Sequence, residues 1–211
     1  MVSPSVPMPS AEPGVVSRAA VAVLGATAWG GATSFLQLLP GTWNALGNSV
    51  AAWTIPAVVL IWTTRLMPRA AALTGAMVFV AMSAGYSLTS TLRGHPDLEL
   101  MWAAIGLVAG PVVGLATSLL RGRERMSAAL GAGVLTGIVA GDAIRGLIAI
   151  PDYTGSWVVL LGLGVLLGWL TTSVRALTPG NIATLTGVAV LTAAAYQGGM
   201  LLLDAVLSAA P

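Results

Sequence analysis

Hydrophobic residues run through this chain in long blocks, with most polar residues gathered in the short gaps between them. Seven such blocks can be delimited: Ala19–Leu39, Val50–Leu66, Ala70–Leu92, Leu100–Leu120, Ala128–Ile150, Trp157–Val174 and Ile182–Leu207. Each is near the ~17–25 residues that a helix needs to cross a bilayer. The second and sixth are the shortest. The connections are too brief for a soluble module, so residues 15–211 read as a single all-α domain, a polytopic transmembrane helix bundle of about seven helices. Residues 1–14, MVSPSVPMPSAEPG, hold four prolines and no apolar period, and read as a disordered tail. Arg18, a short apolar run and Ala26-Thr27-Ala28 also resemble a signal peptide with its cleavage site. Removal there would leave six helices in the same orientation. The apolar character resumes and runs on to Leu39, which favours a full span and a total of seven.

Composition agrees with a lipid solvent. The 211 residues are 56% hydrophobic and only 8% charged, with a mean hydropathy of +0.90. Soluble domains average roughly 25% charged residues, and so few charges cannot cover a water-soluble surface. The net charge of +2 comes from arginines scattered singly between apolar runs, which is no footprint for nucleic acid. Their placement sets an orientation. With a cytoplasmic N-terminus, Arg18, Arg65, Arg69, Arg121, Arg123, Arg125 and Arg175 lie inside, and Arg93 lies outside. Asp97, Glu99, Asp152 and Asp204 then fall at the outer side. Trp43, Trp53, Trp102, Tyr153 and Trp157 would form an aromatic belt there. The expected location is a bacterial cytoplasmic membrane, crossed several times.

Composition also narrows the chemistry. Cys is absent, every basic residue is Arg, and His95 is the lone histidine. Disulfides, thiol redox chemistry, lysine imines, bis-histidine haem and histidine-rich zinc sites are thereby excluded. No HExxH pattern and no P-loop is present, so no metal and no cofactor is expected. A carboxylate pair of Asp142 with Asp204 would permit aspartyl-type chemistry, but nothing in the sequence places the two together. The balance is against an enzyme.

What remains is a set of small residues and a set of polar ones. Gly106, Gly110 and Gly114 in the fourth segment, and Gly133, Gly137 and Gly141 in the fifth, recur every four residues. Such stripes let backbones approach closely, and they suggest that the fourth and fifth helices pack together. Ala22-x3-Ala26 and Ala28-x3-Ala32 form a similar stripe on the first helix, and Pro111 should kink the fourth. In TGIVAGDAIRGLIAI (136–150), Asp142 and Arg145 stand three residues apart, so their side chains can meet. That geometry leaves Leu135, Val139, Ala143, Leu147 and Ile150 to face lipid. An ionisable residue within a span costs roughly 2.5–3.5 kcal/mol on insertion scales and is by default a functional candidate, with a register-fixing ion pair as the alternative. Tyr86, Thr89, Ser90 and Arg93 share a face of the third helix, and Gln197 and Asp204 a face of the seventh. Gln37 closes the first helix, and the loop PGTWNALGNS (40–49) brings Trp43, Asn44 and Asn48 over the outer mouth. This outer concentration of polar groups predicts an outward-facing pocket rather than a channel.

Several of these stretches carry a resemblance. PGTWNALGNS, Ala84-Gly85-Tyr86, Trp102, Gly110-Pro111-x2-Gly114 with its arginine-flanked helix end, and Gly141-Asp142 resemble a family of small, uncharacterised bacterial multi-pass membrane proteins, a domain of unknown function. The likeness spans roughly residues 30–146. Ser87 departs from it, where a second tyrosine would be usual, and so does Asp142, where Glu is commoner. The resemblance implies topology and brings no activity. A looser architectural similarity is to the substrate-binding S components of energy-coupling-factor transporters, which have an outward pocket, a capping first loop and an alanine stripe on helix one, usually with six helices.

Two functions follow. The chain either binds or transports a small solute through an outward pocket lined by Asp142, Arg145, Tyr86, Arg93, Gln197, Trp43, Asn44, Asn48, Gln37 and Asp204, or it is a non-enzymatic anchor whose Gly and Ala stripes dock other membrane subunits. The bilayer is its expected surrounding in either case, and nucleic acid is not an expected partner.

Overall fold

The computed structural model describes residues 14–96 and 100–209. Expectations for the tail before Gly14, and for Asp97 and Glu99, lie outside those residues. The described residues form seven α-helices: α1 (Val15–Leu36), α2 (Val50–Thr64), α3 (Pro68–Leu92), α4 (Leu100–Arg121), α5 (Arg125–Ala149), α6 (Thr154–Val174) and α7 (Pro179–Ala209). Short 3-10 segments, Gly41–Asn48 and Pro151–Tyr153, join α1 to α2 and α5 to α6. Among the described residues, six helices are long and apolar enough to cross a membrane. The seventh, α2, qualifies only together with Gly41–Asn48, from which it is bent by 61°.

Local chemistry explains the boundaries. Pro40 follows α1 and cannot continue a helix, and Gly41 takes a φ of +60°, so the chain turns back. Ser49 caps α2 by accepting from the Ala52 N–H at 3.2 Å. At its other end Arg65, with φ +52°, closes α2 in the left-handed conformation. Pro68 opens α3 at a position where no N–H is needed. Around Pro111, α4 remains a single helix, so the proline does not divide the span.

Without a hydrophobic force between helices in lipid, close backbone approach has to hold them together. Here the sequence reading needs correction, because the α4 and α5 glycine stripes do not face one another. The α4 stripe packs on α3. A Cβ on Gly110 or Gly114 would lie 2.6 or 2.0 Å from the carbonyl oxygen of Gly75 or Ala71, and one on Gly106 would lie 2.7 Å from the Phe79 Cβ. The α5 stripe packs on α7: Cβ atoms on Gly133 and Gly137 would lie 2.7 and 2.5 Å from the Leu185 and Ala189 carbonyls, and Gly141 meets the Tyr196 ring. The two helices instead touch through Gly131 against Ala116 and Leu120.

A second correction concerns the lipid face of α5. Leu135, Val139 and Ala143 are buried, not lipid-facing. The reason is that α5 is the hub, with α2, α4, α6 and α7 all packed on it. Ile150 is exposed as expected and Leu147 is half-buried, with Ile144 and Ile148 the other exposed large residues near its end. By contrast α7 packs chiefly on α5, and Leu185 is its buried residue among those described. The expected interface residue Trp157 is also buried, its ring lying over Gly146 and its indole N–H donating to the Ile150 carbonyl at 3.1 Å.

Candidate functional site

Helices α1, α3, α5 and α7 run from the arginine-rich end of the bundle to the arginine-poor end, and α2, α4 and α6 return. The polar residues picked out from the sequence lie toward the arginine-poor end, and they sort into three groups rather than one.

The first group centres on Asp142, which is buried in the middle of the hub helix. Its Oδ2 accepts from the Ser49 hydroxyl at 2.6 Å and from the Ala51 N–H at 2.9 Å. Its Oδ1 accepts from the Tyr196 hydroxyl at 2.7 Å. Asp142 and Arg145 therefore do not pair with each other, contrary to the sequence expectation. In place of a cation, the carboxylate faces the amino end of α2, where unpaired N–H groups and the helix dipole favour negative charge. One side chain thus ties α2, α5 and α7 together. Beside it, Gln197 donates to the Gly141 carbonyl at 2.8 Å.

The second group is Arg145 with Asp204, an ion pair at 2.5 Å between α5 and α7 whose side chains are 21% and 53% exposed. The third joins α1, α3 and the 41–48 segment. Gln37 donates to both the Asn48 Oδ1 and the Tyr86 hydroxyl at 2.9 Å. Arg93 donates to the Ser34 carbonyl and hydroxyl, and its guanidinium sits 4.9 Å from the Phe35 ring centre. Trp43 is exposed and Asn44 half-buried on the 41–48 segment. That segment is pinned to α6 by Thr42, which bonds Ser156 through its side chain and backbone.

Between these groups lies a cavity of about 610 Å³. It occupies the gap that α4 and α7 leave while both pack on α5. Its floor and walls are Phe79 and Ser83 of α3, Trp102 and Ile105 of α4, and Met200, Leu203 and Val206 of α7. At its polar edge stand Asn48, Ser49, Thr54, Tyr86 and Tyr196. The Trp53 ring, 6.1 Å from that of Tyr86, closes the α2 side and donates its N–H to the Gly47 carbonyl at 3.1 Å. Of the ten candidate ligand-binding residues, Tyr86 and Asn48 line this space. Asp142 stands one bond behind the wall, holding Ser49 and Tyr196. Arg145, Arg93, Gln197, Gln37, Trp43, Asn44 and Asp204 are not among the lining residues.

Residues 9–205 match the family model described as "Family of unknown function (DUF6518)". The chain belongs to that family. Six or seven candidate spans make this DUF6518 protein a multi-pass integral membrane protein surrounded by a lipid bilayer. No curated protein and no solved structure matches it. The likeness to S components therefore stays an analogy drawn from sequence.

Sequence reasoning missed the wall residues Ser49, Thr54 and Tyr196. A signal existed for two of them. Ser49 stands before an apolar run as a helix cap does, and Tyr196 neighbours Gln197 seven to eight residues before Asp204. Thr54 carried none, because a threonine inside an apolar segment usually satisfies itself.

Proposed function

We propose that this protein binds a small solute within the membrane, in the cavity between α4 and α7. Residues 15–211 form one membrane domain in this reading. The arginine-rich end faces the cytoplasm, and the cavity therefore faces the outer half of a bacterial cytoplasmic membrane. The observation that carries the reading is the cavity itself. Its volume is in the range of small-molecule sites, and its lining of apolar and aromatic side chains with a few convergent polar groups is the usual composition of such sites.

Native mass spectrometry of the purified protein tests it. A stoichiometric small molecule should accompany the wild type and be lost from Ala109→Trp, because Ala109 is exposed on the cavity wall and an indole there would occupy the space. Retained helicity by circular dichroism would show that the variant still folds. An adduct that survives the substitution would sink this location of the site.

The anchor reading has an observation of its own. α7 spans 31 residues and leaves most of its surface uncovered, and Ala28 and Ala32 are exposed on α1. Partner helices on those faces, with no adduct in the cavity, would favour it.

A further inference from the structure

The cavity's charges and hydrogen-bonding groups are nearly all spoken for, and that restricts what it can hold. None of its lining residues among those described is ionisable to a charge at neutral pH. The charged side chains of the three polar groups described above are engaged elsewhere. Both oxygens of Asp142 are occupied by Ser49, Ala51 and Tyr196, Arg93 is turned to Ser34 and Phe35, and Arg145 is paired with Asp204. A charged ligand would therefore be desolvated with no free charge among the described residues to compensate it, which is costly.

Several polar groups at the cavity edge are likewise committed. The Ser49 and Tyr196 hydroxyls donate to Asp142, the Tyr86 hydroxyl and Asn48 Oδ1 accept from Gln37, and the Trp53 N–H is bound to Gly47. Thr54 differs. It is 1% exposed, lines the cavity, and its Oγ1 is one of three buried polar side-chain atoms without a partner among the described residues. The other two, Arg18 Nε and Trp29 Nε1, do not line the cavity. Elsewhere in these helices, Thr33, Thr64, Thr117 and Thr171 return their hydroxyls to a carbonyl one turn back. A buried hydroxyl that forgoes this bond beside a cavity is a group waiting for a partner.

Resting on the binding reading above, we infer that the ligand is an uncharged amphiphile, an aliphatic chain ending in a hydroxyl or carbonyl group, whose polar end bonds the Thr54 Oγ1. A threonine hydroxyl both donates and accepts, so either terminus satisfies it. The chain lies between the Trp53 and Trp102 rings on one side and Met200, Leu203 and Val206 on the other.

The probes are decan-1-ol, decane, decanoate and decyltrimethylammonium, titrated into the full-length protein in lipid nanodiscs. Tryptophan emission is the readout, because Trp53 and Trp102 line the cavity. Decan-1-ol should bind at least about tenfold more tightly than either ion. Thr54→Val keeps the shape and removes the hydroxyl. It should weaken decan-1-ol by about 3–10-fold and leave decane unchanged. Equal or tighter binding of decanoate or the ammonium ion overturns the inference, and so does decan-1-ol binding that ignores Thr54→Val. If none of the four shifts the emission of the wild type, the binding reading itself fails with it. Saturable decane binding with no preference for the alcohol defeats only the choice of ligand.

Discussion

Two ionisable residues three positions apart on α5 have opposite environments, and their substitutions should behave accordingly. Removing the Asp142 carboxylate strands the Ser49 hydroxyl, the Ala51 N–H and the Tyr196 hydroxyl in the interior. A buried donor left unmet costs ~1–3 kcal/mol, so Asp142→Ala should destabilise the bundle by about 3 kcal/mol or more. Tyr196→Phe removes one donor and leaves two in place, and should cost only about 1–2 kcal/mol. Arg145→Gln breaks a pair whose acid is more than half exposed, for which under about 1 kcal/mol is expected. Thermal unfolding of the three variants in one detergent, followed by circular dichroism, checks the order. Equal losses for Asp142→Ala and Arg145→Gln would contradict the roles given to them. The sequence showed that a charge within this span needed an explanation. It could not show which partner supplied it, because Ser49 lies 93 positions away and its geometry depends on where α2 begins.

At the scale of elements, the glycines decide which helices touch. The spacing of Gly106, Gly110 and Gly114 is legible from sequence, but the identity of the opposing helix is not. Ala71 and Gly75 on α3 keep the same interval and were the available clue to the α3–α4 contact. A side chain on Gly110 would collide with backbone, which cannot move aside as a flexible side chain can. Gly110→Leu should therefore separate α3 from α4 and cost several kcal/mol, about the size of a severe overpacking defect. Gly162 of α6 has open space where its Cβ would be, so Gly162→Ala should leave stability unchanged within about 1 kcal/mol. Parallel denaturation curves of the two variants separate these outcomes. A tolerated Gly110→Leu would mean that the α3–α4 approach is looser than described. The 41–48 segment shows the same division. Pro40 before it and its own glycines mark a turn, but only its bonds to Ser156 and Gln37 fix it beside the cavity.

For the molecule as a whole, orientation is open to direct measurement, since the chain has no cysteine of its own. Thr178 lies in the exposed connection between α6 and α7 at the arginine-rich end, and His95 is exposed beyond α3 at the opposite end. In intact cells, a membrane-impermeant maleimide should label His95→Cys and spare Thr178→Cys until the membrane is broken. The reverse pattern would invert the bundle and place the cavity in the inner half. The sequence by itself determined that this is a multi-pass helical membrane protein, roughly where its spans lie, and which small residues keep helical time. Those properties follow from local composition and period, and lipid imposes them on each segment separately. Only the tertiary structure decided that α5 is the hub, that Asp142 serves the amino end of α2, and that the cavity is walled by uncharged side chains. Each of these depends on which faces of which helices meet, and no single segment carries that information.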